Sequence, residues 1–332
     1  MATRRQFIIT AGALALAGVP AARAQAGRMS IATNPAGTLY YQLGGGFAKL
    51  LSDKLGVQAI VQPYAGTSAY LPLVESGEVT MALSSTLDAG SAYRGEQGRT
   101  SMLKLRSLAR IFPLRYALLV RKDAPIRSVA DLRGKRLVLS FKANIGLDPI
   151  NTTVLASAGL KESDVVPTNV AGIPQGVRGV VEGNIDGTWV AVGIPVVKEA
   201  HASVGIRYVD LGGPNFTEEY LGSRVPGLFP LTVNPAPNLP EVTEPVQVIG
   251  YDVFMMVSAT MPAAEAQKIL GVLHENFAGL QKDYPALRSG DPKRLASPTN
   301  TVPFHPAAIE YLKAKSLWTP RNDAQEKKIT RG

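Results

Sequence analysis

The sequence predicts an α/β fold in two lobes, with a ligand cleft between them and two strands as the hinge. Three observations carry this. Strand-like and helix-like patterns alternate along the 332 residues. The pattern restarts near residue 137, and the last strongly helical segments follow the second run rather than the first. Alternation of this kind builds a sheet covered by helices, and the length exceeds the roughly 100–200 residues of a single domain. A hydrophobic fraction of 45% with 18% charged residues supplies a core and excludes intrinsic disorder. With 0 cysteines, iron–sulfur clusters, thiolate zinc sites, disulfide frameworks and Cys nucleophiles are excluded together.

Residues 29–33 read as the first strand. The turn cluster Asn34-Pro35-Ala36-Gly37-Thr38 leads to a helix over 40–55, with Leu43, Phe47, Leu50 and Leu51 apolar and Gly56 as its stop. A second strand covers 58–62. Thr67 or Ser68 caps a short helix over 69–76 that Gly77 closes, and a third strand at 79–83 runs into Ser84-Ser85-Thr86. A strand at 116–120, one helical turn at 128–132 and a strand at 137–140 follow. Next come a polar loop at 141–148, a helix at 151–157 ending at Gly159, and a helix at 175–182. The segment from Gly183 to Val190 enters another strand. Residues 211–245, rich in Gly, Pro and Asn, read as a long surface connection. Residues 247–257 are strand-like, and 262–280 form a helix with Ile269, Leu270, Leu273, Phe277 and Leu280 at helical spacing. The economical topology leaves one lobe and returns to it. Residues 27–117 and 255–332 form lobe one, 118–254 form lobe two, and antiparallel crossings near 116–120 and 247–254 are the hinge. Such a body closes on ligand at the C-terminal ends of its strands.

The N-terminus reads as a cleaved export peptide over residues 1–24. Arg4 and Arg5 precede Phe7-Ile8-Ile9, the apolar run over 8–19 is too short to span a bilayer, and Ala22-Arg23-Ala24 fits a small-x-small cleavage site. This resembles a twin-arginine (Tat) signal, with Sec as the other route, and either places the mature chain in the periplasm. Losing Arg4, Arg5 and Arg23 lowers the formal charge from +9 to +6. No basic stripe interleaved with aromatics marks a nucleic-acid surface, and a monomer is expected.

Candidate site residues cluster at strand ends. Thr38 with Tyr40 and Tyr41, the turn Gly66-Thr67-Ser68, and Ser84-Ser85-Thr86 offer hydroxyls and helix N-terminal N–H groups, which suit a carboxylate. Helix capping explains any one of these hydroxyls; three such loops on one lobe point to a site. Arg115, just before the hinge strand, could fork onto a carboxylate or lie on the surface. Trp189, at a strand end of lobe two, could wall the ligand or pack in the core. Asn144 and Asp148 enter through their loop, and Asp148 in a site would favour an amine, a hydroxyl or a metal-bridged ligand. His201, His274 and His305 have no zinc spacing, and no nucleophile elbow, P-loop or dinucleotide fingerprint is present. No catalytic residue, metal or cofactor is expected.

Five motifs then align in order. They are Gly37-Thr38-Leu39-Tyr40-Tyr41; Ala65-Gly66-Thr67-Ser68-Ala69-Tyr70-Leu71 with Leu73-Val74-Glu75-Ser76-Gly77-Glu78; Ile126 to Arg136, a lobe-two entry shared by many periplasmic binding proteins; Gly183-Asn184-Ile185-Asp186-Gly187-Thr188-Trp189; and Val302-Pro303-Phe304-His305-Pro306-Ala307-Ala308-Ile309-Glu310-Tyr311-Leu312. Together, over residues 29–318, they resemble the TAXI group of solute-binding proteins, the extracytoplasmic component of TRAP-type transporters. The resemblance implies a type II-like periplasmic-binding-protein fold and a small organic anion, carboxylate or amino-acid-like, as ligand. It also implies delivery to TRAP-type membrane permease subunits, and it favours Tyr41 over Tyr40 in the site. Two departures stand out. Lys142-Ala143-Asn144-Ile145-Gly146-Leu147-Asp148 replaces a Gly-Ser-Gly-Thr loop, so the family's ligand does not carry over, and Ala307 replaces a glycine. A Tat-exported enzyme with a non-sulfur cofactor or metal, and a ligand sensor on the same fold, are the other readings.

Overall fold

The computed structural model of the protein describes residues 27–331; the expected export peptide lies outside them. The first half runs β1 (Arg28–Thr33), α1 (Leu39–Leu55), β2 (Gln58–Pro63), α2 (Thr67–Ser76), β3 (Met81–Ser85), α3 (Thr86–Arg94) and the long β4 (Leu105–Arg121). The second half holds β5 (Arg136–Phe141), α4 (Asp148–Ser157), β6 (Val166–Val170), α5 (Ile173–Val181), β7 (Thr188–Ala191), α6 (Pro195–Val204), β8 (Ile206–Tyr208), α7 (Glu218–Arg224) and β9 (Phe229–Val233). The chain returns along β10 (Val246–Ser258) and ends in α8 (Ala263–Glu275), α9 (Phe277–Asp283), α10 (Pro306–Ala314) and α11 (Pro320–Arg331).

Local chemistry sets these boundaries. Thr38, in extended conformation, accepts the Tyr41 N–H and starts α1; Gly56 stops it at φ 65°, a left-handed conformation that costs glycine nothing. Leu43, Phe47 and Leu51 of α1 are buried against the sheet, where β1 pairs in parallel with both β2 and β3. The main sheet has the order β2-β1-β3-β10-β4-β7, with β8 on β4 and β9 on β10.

Strands β4 and β10 run through both halves. They pair antiparallel from Leu105↔Ser258 to Tyr116↔Ile249, with register shifts at Val253/Phe254 and Met255/Met256. On one side of the crossing β10 takes β3, through Val253↔Ser85 to Met256↔Ala82; on the other, β4 takes β7 and β8 while β10 takes β9. The result is the two-lobed α/β fold of periplasmic binding proteins. The C-terminal segment rejoins the first half, where Ser107 and Phe304 form a bridge and α10 packs on α8.

The structure departs from sequence expectation at several places, among them β4, the stretch 211–245 and the helix over 262–280. β4 begins eleven residues before the expected strand start at 116, because Arg106, Ser107, Arg110 and Pro113 break its period-2 pattern. Arg110 is nonetheless buried, its guanidinium donating to Asp252 Oδ1 on β10 at 2.7 and 2.9 Å. The stretch 211–245 contains α7 and β9, and the single helix expected over 262–280 breaks at Asn276, whose side chain bonds back to the Val272 carbonyl.

Candidate functional site

A small cavity of ≈ 30 Å³ sits at the seam of the two halves, larger than the about 10–15 Å³ one water needs. The first half contributes Asn34 after β1, Thr38, Leu39 and Tyr40 at the start of α1, and Asp88 in the first turn of α3. The second contributes Asn144, Leu147, Ile173, Ala191 and Ile194, and the crossing strands add Leu114, Tyr116 and Tyr251. The first half is thus polar and the second largely apolar. No basic side chain lines this space.

Asp88 is placed by the helix it helps to start. Ser85 Oγ accepts the Asp88 N–H at 2.9 Å and donates to Asp88 Oδ2 at 3.0 Å, a reciprocal pairing at the α3 N-terminus. Asp88 Oδ1, packed against Gly146 without closing a well-aligned hydrogen bond to it, and Asn34 Oδ1 are buried with no hydrogen-bond partner of good geometry. Burial pushes the Asp88 carboxyl up from its ordinary range; Ser85, Thr67, the Arg99 charge and the Gly146 amide oppose the rise. Burial likewise raises Tyr40, Tyr116 and Tyr251, so their hydroxyls stay protonated at neutral pH. The Tyr116 ring is held from both sides, stacked on Trp189 at 5.7 Å and tilted against Tyr251 at 5.8 Å. Its hydroxyl donates to Asn151 Oδ1 at 3.3 Å.

The halves meet directly beside the cavity. Ser68 N–H donates to the Ala143 carbonyl at 3.1 Å, Asn144 Nδ2 to Thr67 Oγ1 at 2.9 Å, and Val196 N–H to the Gly37 carbonyl at 3.3 Å. Gln97 Nε2 reaches the Ile145 carbonyl at 3.0 Å. The approach is closest at Gly66, where an added Cβ would stand 2.3 Å from the Ala143 oxygen.

Of the expected site residues, Thr38, Tyr40 and Asn144 line the cavity. Gly66, Thr67 and Ser68 make the contact across the seam rather than the wall. Ser84 and Ser85 close β3, and Ser85 positions Asp88. Thr86 is buried and its carbonyl accepts from the Thr301 hydroxyl. Three more of the expected residues lie outside this lining. Tyr41 is 39% exposed on the outer side of α1, one residue past the residue that faces in. Trp189 is fully buried and packs on Tyr116, away from the cavity lining. Arg115 faces a separate recess with Gln42, Gly193 and Lys198, because β4 alternates and its inward neighbours are Leu114 and Tyr116. Sequence reasoning missed Asn34, Asp88, Tyr116 and Tyr251. For Asp88 a signal existed: Ser85 three residues before it is an N-cap spacing.

Asp148 lies just outside the cavity wall. Burial raises its carboxyl to about 6, against hydrogen bonds from Ser140 Oγ at 2.7 Å and the Phe141 N–H at 3.3 Å. Among the described residues no group of three or more His, Cys, Asp or Glu could hold a metal ion, and no helix is long and apolar enough to cross a membrane.

Two lobes joined by a pair of continuous strands, with a cavity at their seam, define the periplasmic-binding-protein class of fold. The chain belongs to the NMT1-like family, whose model matches residues 31–315. It is similar to a solved periplasmic transporter at 14% identity and TM-score 0.54, over 94% of this chain and 98% of that one. It is also similar to the amino acid ABC transporter substrate-binding protein AbpA from Streptococcus pneumoniae bound to L-arginine. That match has 12% identity and TM-score 0.51, over 79% of this chain and 95% of that one. At these identities the likeness shows the fold.

Proposed function

We propose that this chain is an extracytoplasmic solute-binding protein that encloses a small organic molecule between its lobes and presents the closed form to membrane permease subunits. The observation that carries the reading is the cavity itself, walled by both halves and both crossing strands. A ligand seated there touches every part that must move together, so its affinity for the closed state shifts the balance toward closure. Binding needs no catalytic group, metal or cofactor. In this reading the lobes are 27–117 with 255–332 and 118–254, a division that the crossing of β4 and β10 supports.

The finer parts of the reading rest on the sequence motifs. Their order supports a TAXI-type protein serving a TRAP-type permease, and the paired arginines support Tat export to the periplasm. A carboxylate on the ligand would be met by the first-turn N–H groups of α1, at Leu39 and Tyr40, which have no intrahelical partners. No lysine or arginine is present in the cavity to assist.

The test is a thermal-shift screen of the mature chain against small organic acids, amines and amino acids. A ligand that binds only the native state raises the melting temperature in a saturable way. The reading fails if no solute raises it and native mass spectrometry finds no retained small molecule.

A further inference from the structure

The polar groups facing the cavity are unbalanced in one direction. Asp88 and Asn34, 2% and 6% exposed, each hold a side-chain oxygen without a well-aligned hydrogen-bond partner, Asp88 Oδ1 lying against Gly146. A buried acceptor left unpaired is costly, and native proteins pair the great majority of such groups. Both residues line the same cavity, from adjacent strand ends of one lobe. Around them stand Tyr40 and Tyr251, whose rings attract a cation through their negative faces, and Tyr116, whose ring packs against Trp189 and Tyr251. No basic side chain lines the cavity itself; the Arg99 charge reaches Asp88 from outside the lining.

We propose that the cavity takes a small ligand carrying a protonated amine, with N–H groups donated to Asp88 Oδ1 and Asn34 Oδ1 and its charge set among the tyrosines. The inference rests on the solute-binding reading and names the chemical class that site selects. Lobe two shapes the rest of the ligand. Leu147, Ile173 and Ile194 form an apolar wall opposite Asp88, so the body beyond the amine is short and aliphatic. A carboxylate elsewhere on the molecule is compatible, at the α1 N-terminus. One without the amine would place a second negative charge beside Asp88 with no cation in the cavity lining.

The ranking is testable with matched probes on the mature chain. The set is n-butylamine, 1,4-diaminobutane and 4-aminobutyrate as amines, butyrate and succinate as acids, and butyramide as the neutral control, followed by thermal shift and calorimetry. The expected result is saturable stabilisation by amine-bearing probes only. Asp88→Asn should weaken their affinity at least tenfold, and Asn34→Leu severalfold, with circular dichroism confirming the fold of each variant. Should Asp88→Asn misfold through loss of its α3 contact, Asn34→Leu decides alone: unchanged amine affinity overturns the assignment. Stabilisation by butyrate or succinate that survives both substitutions overturns the amine assignment and leaves the solute-binding reading standing. If none of the probes binds and the protein retains no small molecule on native mass spectrometry, both readings fall. A retained molecule that lacks a basic nitrogen overturns only the amine.

Discussion

Tyr40, 5% exposed, stands on the cavity wall, while Tyr41 is 39% exposed on the far side of the same helix turn. Successive helical residues are about 100° apart, so only one of the pair can face the seam. Tyr40→Ala is expected to lower affinity for a bound solute by tenfold or more, through loss of a buried contact. Tyr41→Ala should change it less than about twofold. Calorimetric titration of both variants decides, and a large loss for Tyr41 alone would move the site. The choice was legible in the sequence. Tyr40 continues the buried stripe of Leu43, Phe47 and Leu51, whereas motif resemblance pointed one residue on. Asp148 gives a second residue-scale prediction. Its folded pKa of about 6 lies above the ordinary carboxyl value of 3.8, so the fold favours the protonated form. The stability this contributes is complete below about pH 4 and is lost as pH rises through 6. A shift of that size corresponds to about 3 kcal/mol at most, and partial exposure reduces it to about 1 kcal/mol. Urea midpoints from pH 4 to 7 should fall more steeply for the native chain than for Asp148→Asn. Parallel slopes would show that the carboxyl is unperturbed.

At the scale of elements, the seam depends on one loop reaching another. Gly66 precedes α2 in extended backbone that any residue adopts, so its requirement is space and not conformation. An alanine Cβ 2.3 Å from the Ala143 oxygen meets backbone, which cannot rotate away. Gly66→Ala should therefore leave each lobe folded and hold the lobes apart. Solute affinity should drop tenfold or more, which equals about 1.4 kcal/mol, while the melting temperature without ligand stays near that of the native chain. A drop in that melting temperature with affinity retained would mean that Gly66 serves the packing of its own lobe. The sequence displayed this turn as a run of hydroxyls, which suggested ligand contact; that they serve the opposite loop is set by the approach of β5 and its loop, far away in sequence. α3 was hidden for a related reason. Ser84, Ser85 and Thr86 read as a polar loop, yet Ser85 is the cap of a helix whose first turn buries Asp88. β4 was hidden by Arg110, a charge inside a strand that only its partner Asp252, 142 residues away, makes tolerable.

For the whole molecule the question is how firmly the lobes hold together. Alternation of strands and helices, and the late return of the chain, revealed two lobes from sequence, because topology follows from element order. The strength of the seam does not, since it depends on contacts between loops distant in the chain. Among the described residues the hydrogen bonds across it are Ser68 to Ala143, Asn144 to Thr67, Val196 to Gly37 and Gln97 to Ile145, beside the packing of Asp88 on Gly146. At about 0.5–1.5 kcal/mol net for each hydrogen bond, and against the ordering of several loops, they favour closure only weakly. A bound solute of ordinary affinity can therefore govern the balance. The absence of native cysteine makes this directly measurable, since any introduced thiol is the only one. Spin labels on Asp53→Cys in lobe one and Glu162→Cys in lobe two, both at exposed positions, should give a broad distance distribution without solute. Saturating solute should narrow it to a single population. The same labels on a Gly66→Ala background should stay broad at concentrations that close the native chain, because the loop at Ala143 cannot dock. A narrow distribution that ignores solute in both backgrounds would describe a rigid body, and the delivery mechanism proposed for this fold would have to be abandoned.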